Sequence, residues 1–190
     1  MEAFLISTGI VALAEIGDKT QLLALVLAAR FRKPVPIVLG IFVATVVNHA
    51  LAGAAGQFIA HRLGPESLRW GVGLSFVAMA FWMLIPDKLD LKQDAAPRLG
   101  VFATTVFAFF LAEMGDKTQI ATVALTAKYA ALIPVVAGTT LGMMIANVPV
   151  VFLGDVATKK LPLRLVHAIA AAIFLVMGAL VLFGPGMKLG

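Results

Sequence analysis

Cysteine is absent from this 190-residue chain, and charged residues are scarce. Without cysteine there can be no disulfide, no thiolate metal site and no cysteine nucleophile. Charged residues make up 13% of the chain, against about 25% in a typical soluble domain. Together with 61% hydrophobic residues, this excludes a soluble globular enzyme, a nucleic-acid-binding domain and a disordered tail. The composition indicates an integral membrane protein.

Long apolar runs fill most of the chain. Six segments are each long enough to cross about 30 Å of hydrocarbon as a helix, which takes about 20 residues. They lie at residues 3–29, 35–60, 67–86, 100–127, 131–157 and 164–184. None alternates as barrel strands do, so we predict an all-α membrane protein with six transmembrane helices. The first, second, fourth and fifth segments exceed the length of a span, which predicts tilted or broken helices.

Basic residues are unevenly divided between the two sets of loops. The loops after the first, third and fifth segments carry nine of the fifteen Lys and Arg, the opposite side carries four, and Lys19 and Lys117 lie inside segments. The positive-inside rule then predicts both termini on the non-cytoplasmic side of a cell inner membrane. The chain opens with Met1 and Glu2 and no basic stretch, so we expect the first segment to be a span rather than a signal peptide.

An internal repeat divides the chain into two halves. The heptad EIGDKTQ at 15–21 recurs as EMGDKTQ at 113–119, with six of seven positions identical and an offset of 98 residues. Because each half has three spans, an odd number, the chain is on the other side of the membrane when the second half begins. The second half therefore crosses the membrane in the opposite orientation. We therefore predict one membrane domain of two inverted three-helix repeats, 1–86 and 99–190, joined by a cytoplasmic linker at 87–98. This plan is typical of secondary transporters; the alternative is a duplication that serves only packing.

The heptads place charge inside apolar segments. A charged residue at the centre of a spanning helix costs about 2.5–3.5 kcal/mol, so these groups should face one another, water or a ligand. On a helix, an acid three residues after another lies on the same face, and Gly17 and Gly115 can admit close helix approach or a local break. The predicted metal ligands are Glu15, Asp18, Gln21, Glu113, Asp116 and Gln119. The alternative is an ion-pair network that only orients the helices.

The charge of the two heptads suggests what they bind. Lys19 and Lys117 each follow a heptad glutamate by four residues and are expected to offset part of its charge. Four carboxylates and two lysines leave a net charge of −2, which one divalent cation or two protons would neutralise. Carboxylates, amides and the hydroxyls of Thr20 and Thr118 supply only oxygen. Such donors favour Ca²⁺, Mn²⁺ and Mg²⁺ over Zn²⁺ or Cu⁺.

The paired Glu-x-Gly-Asp-Lys-Thr motifs in a short duplicated chain resemble the GDT-one family of cation/proton antiporters, formerly uncharacterised protein family sixteen. That family has Golgi members and bacterial manganese exporters, and the resemblance covers nearly the whole chain. It implies exchange of Ca²⁺ or Mn²⁺ for protons, with the cation held by Glu15, Asp18, Glu113 and Asp116. The short linker resembles the bacterial branch and favours manganese efflux. The resemblance implies a transporter without enzymatic activity or a resident cofactor.

Other polar residues support this interpretation less directly. Asn48 and His49 fall in the second segment, and the repeat offset aligns His49 with Asn147 in the fifth. These groups could complete the site, with His49 relaying protons, but for His49 we favour hydrogen bonding between helices. Asp155 is expected at an interface. The acids of the linker are expected to be solvated: Asp87, Asp90 and Asp94.

Three alternatives to an antiporter stay open from sequence. A cation channel or uniporter with the same ligands would conduct without regard to a pH gradient. An exporter of small organic cations should have aromatic or apolar walls beside the acids, and the heptads contain none. A membrane scaffold would tolerate charge-swapped motifs. The expected partners are divalent metal ions, protons and the lipid bilayer, with no nucleic acid; a homo-oligomer is left open.

Overall fold

The computed structural model describes residues 1–85, 100–153 and 163–184, and over these residues the chain is helical. The helices are α1 (Glu2–Glu15), α2 (Lys19–Phe31), α3 (Pro34–Arg62), α4 (Pro65–Trp82), α5 (Gly100–Glu113), α6 (Lys117–Tyr129), α7 (Leu132–Leu153) and α8 (Leu163–Phe183). The all-α prediction is confirmed. The predicted linker at 87–98, with its three acids, and Asp155 lie outside the described residues.

Two of the six apolar segments are broken, and both breaks fall in the repeated heptads. The first segment becomes α1 and α2, and the fourth becomes α5 and α6. The second and fifth segments were also predicted to be tilted or broken. Each of them forms a single unbroken helix, α3 or α7. The difference has a local cause. Gly17 and Gly115 adopt positive φ angles of 83° and 73°, whereas α3 and α7 contain no such glycine.

Polar and apolar residues are distributed as in a membrane protein. Large apolar side chains such as Phe81, Phe107 and Leu51 are 59–65% exposed, while the heptad acids and several threonines are buried. Three helices, α3, α7 and α8, are long and apolar enough to cross a bilayer, and α5 is a shorter apolar helix. The outer surface of these helices is therefore suited to lipid, and the polar groups lie inside.

The halves pack against each other reciprocally. Helix α7 packs on α1, and its counterpart α3 packs on α5. A Cβ on Gly138 of α7 would lie 2.4 Å from the Phe4 carbonyl oxygen of α1, and one on Gly40 of α3 would lie 3.0 Å from the Phe102 carbonyl oxygen of α5. Both pairs are related by the offset of 98 residues. Each half thus uses the same glycine to bring the other half's first helix close.

The third long helix of each half, α4 or α8, does not follow this symmetry. Helices α4 and α8 pack on each other, but α4 also covers α6, whereas α8 covers α1. The two breaks consequently have different surroundings, although their sequences are nearly identical.

Candidate metal-binding site

The two helix breaks have the same local structure. Helix α1 ends at Glu15 and α2 starts at Lys19; helix α5 ends at Glu113 and α6 starts at Lys117. The intervening aspartates, Asp18 and Asp116, are the N-cap residues of the second helices, with extended backbone. The first helix's C-terminus and the second's N-terminus meet at the break, which places helix-end dipoles beside the acids.

Each break is braced by the glutamine that closes its heptad. The Gly17 N–H donates to Gln21 Oε1 at 2.9 Å, and the Gly115 N–H donates to Gln119 Oε1 at 2.7 Å. The sequence predicted both glutamines as metal ligands, but their oxygens are engaged by the backbone of the break. In the described structure each glutamine thus helps to hold the left-handed glycine in place, and its role as a metal ligand stays a prediction.

The amide nitrogens of these glutamines tie the breaks to the opposite half. Gln21 Nε2 donates to the Ala146 carbonyl oxygen of α7 at 3.0 Å. Gln119 Nε2 donates to Asn48 Oδ1 of α3 at 2.6 Å. Ala146 and Asn48 correspond in the repeat. The two connections are therefore equivalent in position, but one uses a backbone acceptor and the other a side chain.

Three of the four predicted acids come together from both halves. Carboxylate oxygens of Glu15, Glu113 and Asp116 lie within 4.8 Å of one another, close enough to share one metal ion. Glu15 and Glu113 have no exposed surface, and Asp116 is 2% exposed. Asp18 is also buried, with its carboxylate 3.5 Å from the Thr20 hydroxyl, but it is outside this group of three. We call Glu15, Glu113 and Asp116 the acid cluster.

In each member of the acid cluster, one carboxylate oxygen contacts a neighbouring side chain. The other oxygen has no hydrogen-bond partner among the described residues. Thr20 donates to Glu15 Oε2 at 2.5 Å, and Thr118 donates to Glu113 Oε2 at 2.9 Å. The second oxygen of each acid is buried without a hydrogen-bond partner in the part of the chain that the structure describes: Glu15 Oε1, Glu113 Oε1 and Asp116 Oδ2. Buried polar atoms normally have partners, so these oxygens are the candidate metal ligands.

The lysines of the two heptads were predicted to offset the charge of their own glutamates, and the ion pair of Lys19 is instead with an acid of the other heptad. Lys19 Nζ lies 3.0 Å from Asp116 Oδ1, in the other half. Lys117 Nζ donates to the Ile85 carbonyl oxygen at 3.2 Å. The break is the reason, because the four-residue spacing brings side chains together only along a continuous helix. For the same reason Glu15 and Asp18 do not lie on one helix face.

The polar residues of α3 and α7 lie beside the site but differ between halves. Asn48 Nδ2 donates across to the Phe110 carbonyl oxygen of α5 at 3.3 Å. We favoured a hydrogen bond between helices for His49, but its ring nitrogens have no hydrogen-bond partner within the described ranges. Its Nε2 lies 3.6 Å from Glu113 Oε2. Its counterpart Asn147 donates to the Met143 carbonyl oxygen within its own helix at 3.1 Å.

One contact at the first break could not be predicted from the sequence pattern. His167 Nε2 of α8 lies 2.8 Å from the Ile16 carbonyl oxygen. A Cβ on Gly17 would lie 2.9 Å from Leu163, also of α8, whereas one on Gly115 would meet no atom of residues 1–85, 100–153 or 163–184 within 4 Å. No motif marks Leu163 or His167, because the contact depends on how α8 docks on α1.

Comparison with known proteins identifies relatives along most of the chain. Residues 3–91 and 101–187 match the sequence model of the family described as "Divalent cation/proton antiporter GDT1". A Vibrio cholerae protein named "Putative manganese exporter" is 54% identical over 93% of this chain and 88% of its own length. Two rice (Oryza sativa) proteins are more distant. "GDT1-like protein 3" is 28% identical over 92% of this chain and 71% of its own length, and "GDT1-like protein 4" is 27% identical over 92% and 70%. No solved structure matches the chain.

Proposed function

The chain belongs to the GDT1 family of divalent cation/proton antiporters, and from that premise we propose that it exports Mn²⁺ in exchange for protons. The resemblance seen in the twin motifs is confirmed by the family match. The family consists of transporters, not enzymes, and the divalent cation is their substrate rather than a resident cofactor. The choice of Mn²⁺ is supported by the 54% identical relative whose name refers to manganese export. Export of Ca²⁺ by the same site is the second candidate.

The acid cluster carries this proposal. Its three carboxylates and Lys19 sum to a charge of −2 when the acids are ionised, which one divalent cation or two protons would cancel. An uncompensated charge inside a membrane is costly. We expect the neutral forms of the site, loaded with metal or with two protons, to change face readily and the empty charged form to change face rarely. Obligatory exchange follows from that difference, with about two protons per metal ion.

For the membrane architecture we propose six spans in two inverted repeats. Each broken pair, α1 with α2 and α5 with α6, then counts as one span, with its break and the acid cluster near the midplane. The reciprocal packing of Gly40 and Gly138 supports this, because reciprocal contacts are what a two-fold relation produces. Short interrupted helices in matching positions of both halves also mark the binding sites of transporters.

The proposed orientation places both termini outside the cytoplasm, in a cell inner membrane. The native chain has no cysteine, so single cysteines report cleanly on sidedness. Lys33→Cys and Glu66→Cys fall at exposed positions on opposite predicted sides. In intact spheroplasts, a membrane-impermeant maleimide should label Glu66→Cys and leave Lys33→Cys unlabelled. The reverse pattern would invert the orientation.

The function is tested with purified protein in proteoliposomes. Mn²⁺ and Ca²⁺ uptake are measured with and without an imposed pH gradient, while a trapped dye reports internal pH. We expect metal flux to be driven by an opposing proton gradient and to move protons the other way. Glu66→Gln, which changes an exposed acid of α4, is the control for Glu113→Gln in the cluster.

The same assay separates the alternatives. Metal flux that ignores the pH gradient would identify a channel or uniporter. Competition of lysine or arginine with the metal would identify an exporter of organic cations. Because ligands must be deprotonated to hold the metal, the apparent Mn²⁺ affinity should fall as the pH falls. An affinity that stays constant across the active pH range would rule out shared carboxylates.

A further inference from the structure

His49 is a fully buried histidine on α3, beside the acid cluster. The ring has no exposed surface, and neither nitrogen has a hydrogen-bond partner among residues 1–85, 100–153 and 163–184. Burying an unpaired polar group costs about 1–3 kcal/mol on mutational scales, so such a group calls for an explanation. His49 Nε2 lies 3.6 Å from Glu113 Oε2, although His49 is outside the group of three acids whose oxygens lie within 4.8 Å of one another. The imidazole therefore adjoins the Glu113 side of the acid cluster.

The surroundings of His49 are fixed by its neighbour on α3. Asn48 binds the Phe110 carbonyl oxygen on α5 and accepts from Gln119 on α6. These two bonds hold this part of α3 against the second break, where Glu113 lies. The position of His49 beside the cluster is consequently set by a hydrogen-bonded framework rather than by a mobile loop.

At this position of the repeat, the first half has an imidazole and the second half has an amide. The counterpart of His49 is Asn147, whose amide nitrogen donates within α7 and whose Oδ1 is a hard oxygen. The two heptads themselves offer carboxylate, amide and hydroxyl oxygens. Imidazole nitrogen is a ligand for first-row transition metals, whereas Ca²⁺ and Mg²⁺ take oxygen almost without exception.

We propose that His49 is the nitrogen ligand that makes the site prefer Mn²⁺ to Ca²⁺. This rests on the proposed function, because it assumes that the acid cluster holds the transported ion. In this assignment Glu15, Glu113 and Asp116 supply the charge that any divalent cation needs. His49 adds a bond that a transition metal uses and an alkaline-earth ion does not. Ligation through Nε2 requires the tautomer whose proton is on Nδ1.

The first experiment compares metal preference before and after replacing the imidazole. His49→Asn installs the residue of the repeat counterpart, which keeps an oxygen donor but removes the nitrogen. In proteoliposomes, the preference for Mn²⁺ is measured as the ratio of the apparent Mn²⁺ affinity to the apparent Ca²⁺ affinity. This ratio should fall by about 10- to 100-fold, the usual effect of losing a group that supports a metal site. His61→Asn, at an exposed histidine near the end of α3, is the matched control and should keep the wild-type ratio.

The second experiment detects the bond directly. Pulsed electron paramagnetic resonance of the wild-type protein loaded with Mn²⁺ should show a nitrogen coupling that changes when histidine is labelled with ¹⁵N. The chain has three histidines, so the coupling should persist in His61→Asn and His167→Asn and vanish in His49→Asn. If His49→Asn does not fold, the labelled wild type and the other two variants still decide the assignment.

The outcomes separate this inference from the proposed function. Wild-type protein that neither binds nor transports Mn²⁺ would overturn both. Transport of Mn²⁺ with no histidine nitrogen coupling would overturn the role of His49 and leave the antiporter proposal standing. A loss of Mn²⁺ and Ca²⁺ affinity by the same factor in His49→Asn would mean a structural role, which also contradicts the inference.

Discussion

The two helix breaks share six of seven residues and yet lie in different environments. At the first break, α8 covers Gly17 with Leu163, and His167 contacts the Ile16 carbonyl oxygen. At the second break Gly115 has open space on its Cβ side, and Met114 is 56% exposed. A helix of the second half therefore covers the first break, whereas none of the described residues covers the glycine of the second break in this way.

The difference shows which features belong to the heptad and which to its neighbours. The glutamine-to-glycine brace and the threonine-to-glutamate hydrogen bond occur in both breaks, because all their atoms come from the heptad. The acceptor for the glutamine nitrogen differs, and so does the group beside the glutamate. Local geometry is thus repeated, while the chemistry around each acid is set by the opposite half.

The largest expected effect comes from removing one carboxylate of the acid cluster. Glu15→Gln and Glu113→Gln should each reduce Mn²⁺ exchange to the level of empty liposomes, since the amide keeps the shape but removes a charge that the metal needs. Glu66→Gln should keep wild-type exchange, and all variants should elute as folded protein from detergent. Full exchange by one of the two cluster variants would show that the breaks are not equivalent in binding.

The next effect concerns the charge that crosses between halves. Lys19→Gln removes the cation beside Asp116, so the cluster becomes more negative by one charge. We expect Mn²⁺ to bind about tenfold more tightly, which corresponds to about 1.4 kcal/mol. Exchange should slow, because the loaded site then keeps a negative charge. Lys33→Gln, at an exposed position before α3, is the control. Weaker metal binding in Lys19→Gln would show that the lysine organises the cluster instead.

A smaller effect on stability tests the packing of α8 against Gly17 at the first break. Both glycines have positive φ, so Gly115→Ala should lower the free energy of unfolding by about 1–2 kcal/mol through backbone strain alone. Gly17→Ala should lower it by more, because the added Cβ also crowds the Leu163 side chain. Because Leu163 can shift, we expect an extra cost below about 1 kcal/mol. Denaturation in detergent micelles measures both, and equal losses would contradict the covering of Gly17.

The smallest expected effect is the energy of the side-chain connection at the second break. A double-mutant cycle with Gln119→Leu and Asn48→Leu should give a coupling of about 0.6 kcal/mol, typical of hydrogen bonds between membrane helices. The matched cycle with Gln21→Leu and Ala146→Leu removes no side-chain acceptor, since Gln21 binds a backbone carbonyl. It should show no hydrogen-bond coupling beyond the steric cost of the larger residue. Zero coupling for Gln119 and Asn48 would remove this distinction between the breaks.

The helical class, the duplication and the placing of charged heptads inside apolar segments could all be predicted from the sequence. These follow from composition and periodicity, which depend on local preference and on the solvent that each face meets. The family was also accessible, because the paired motifs are specific. The breaks at Gly17 and Gly115 could be anticipated, since glycine is the residue that adopts positive φ without steric cost.

Which charges and donors come into contact depends on how the helices pack in three dimensions. Lys19 pairs with Asp116 rather than Glu15 because the break removes the helix on which the four-residue rule depends. His49 lies beside Glu113, and His167 contacts the first break. Each of these contacts joins residues of different halves, and its partner is fixed by how the helices dock. Docking depends on the packing of whole helix surfaces, which a local sequence pattern does not specify.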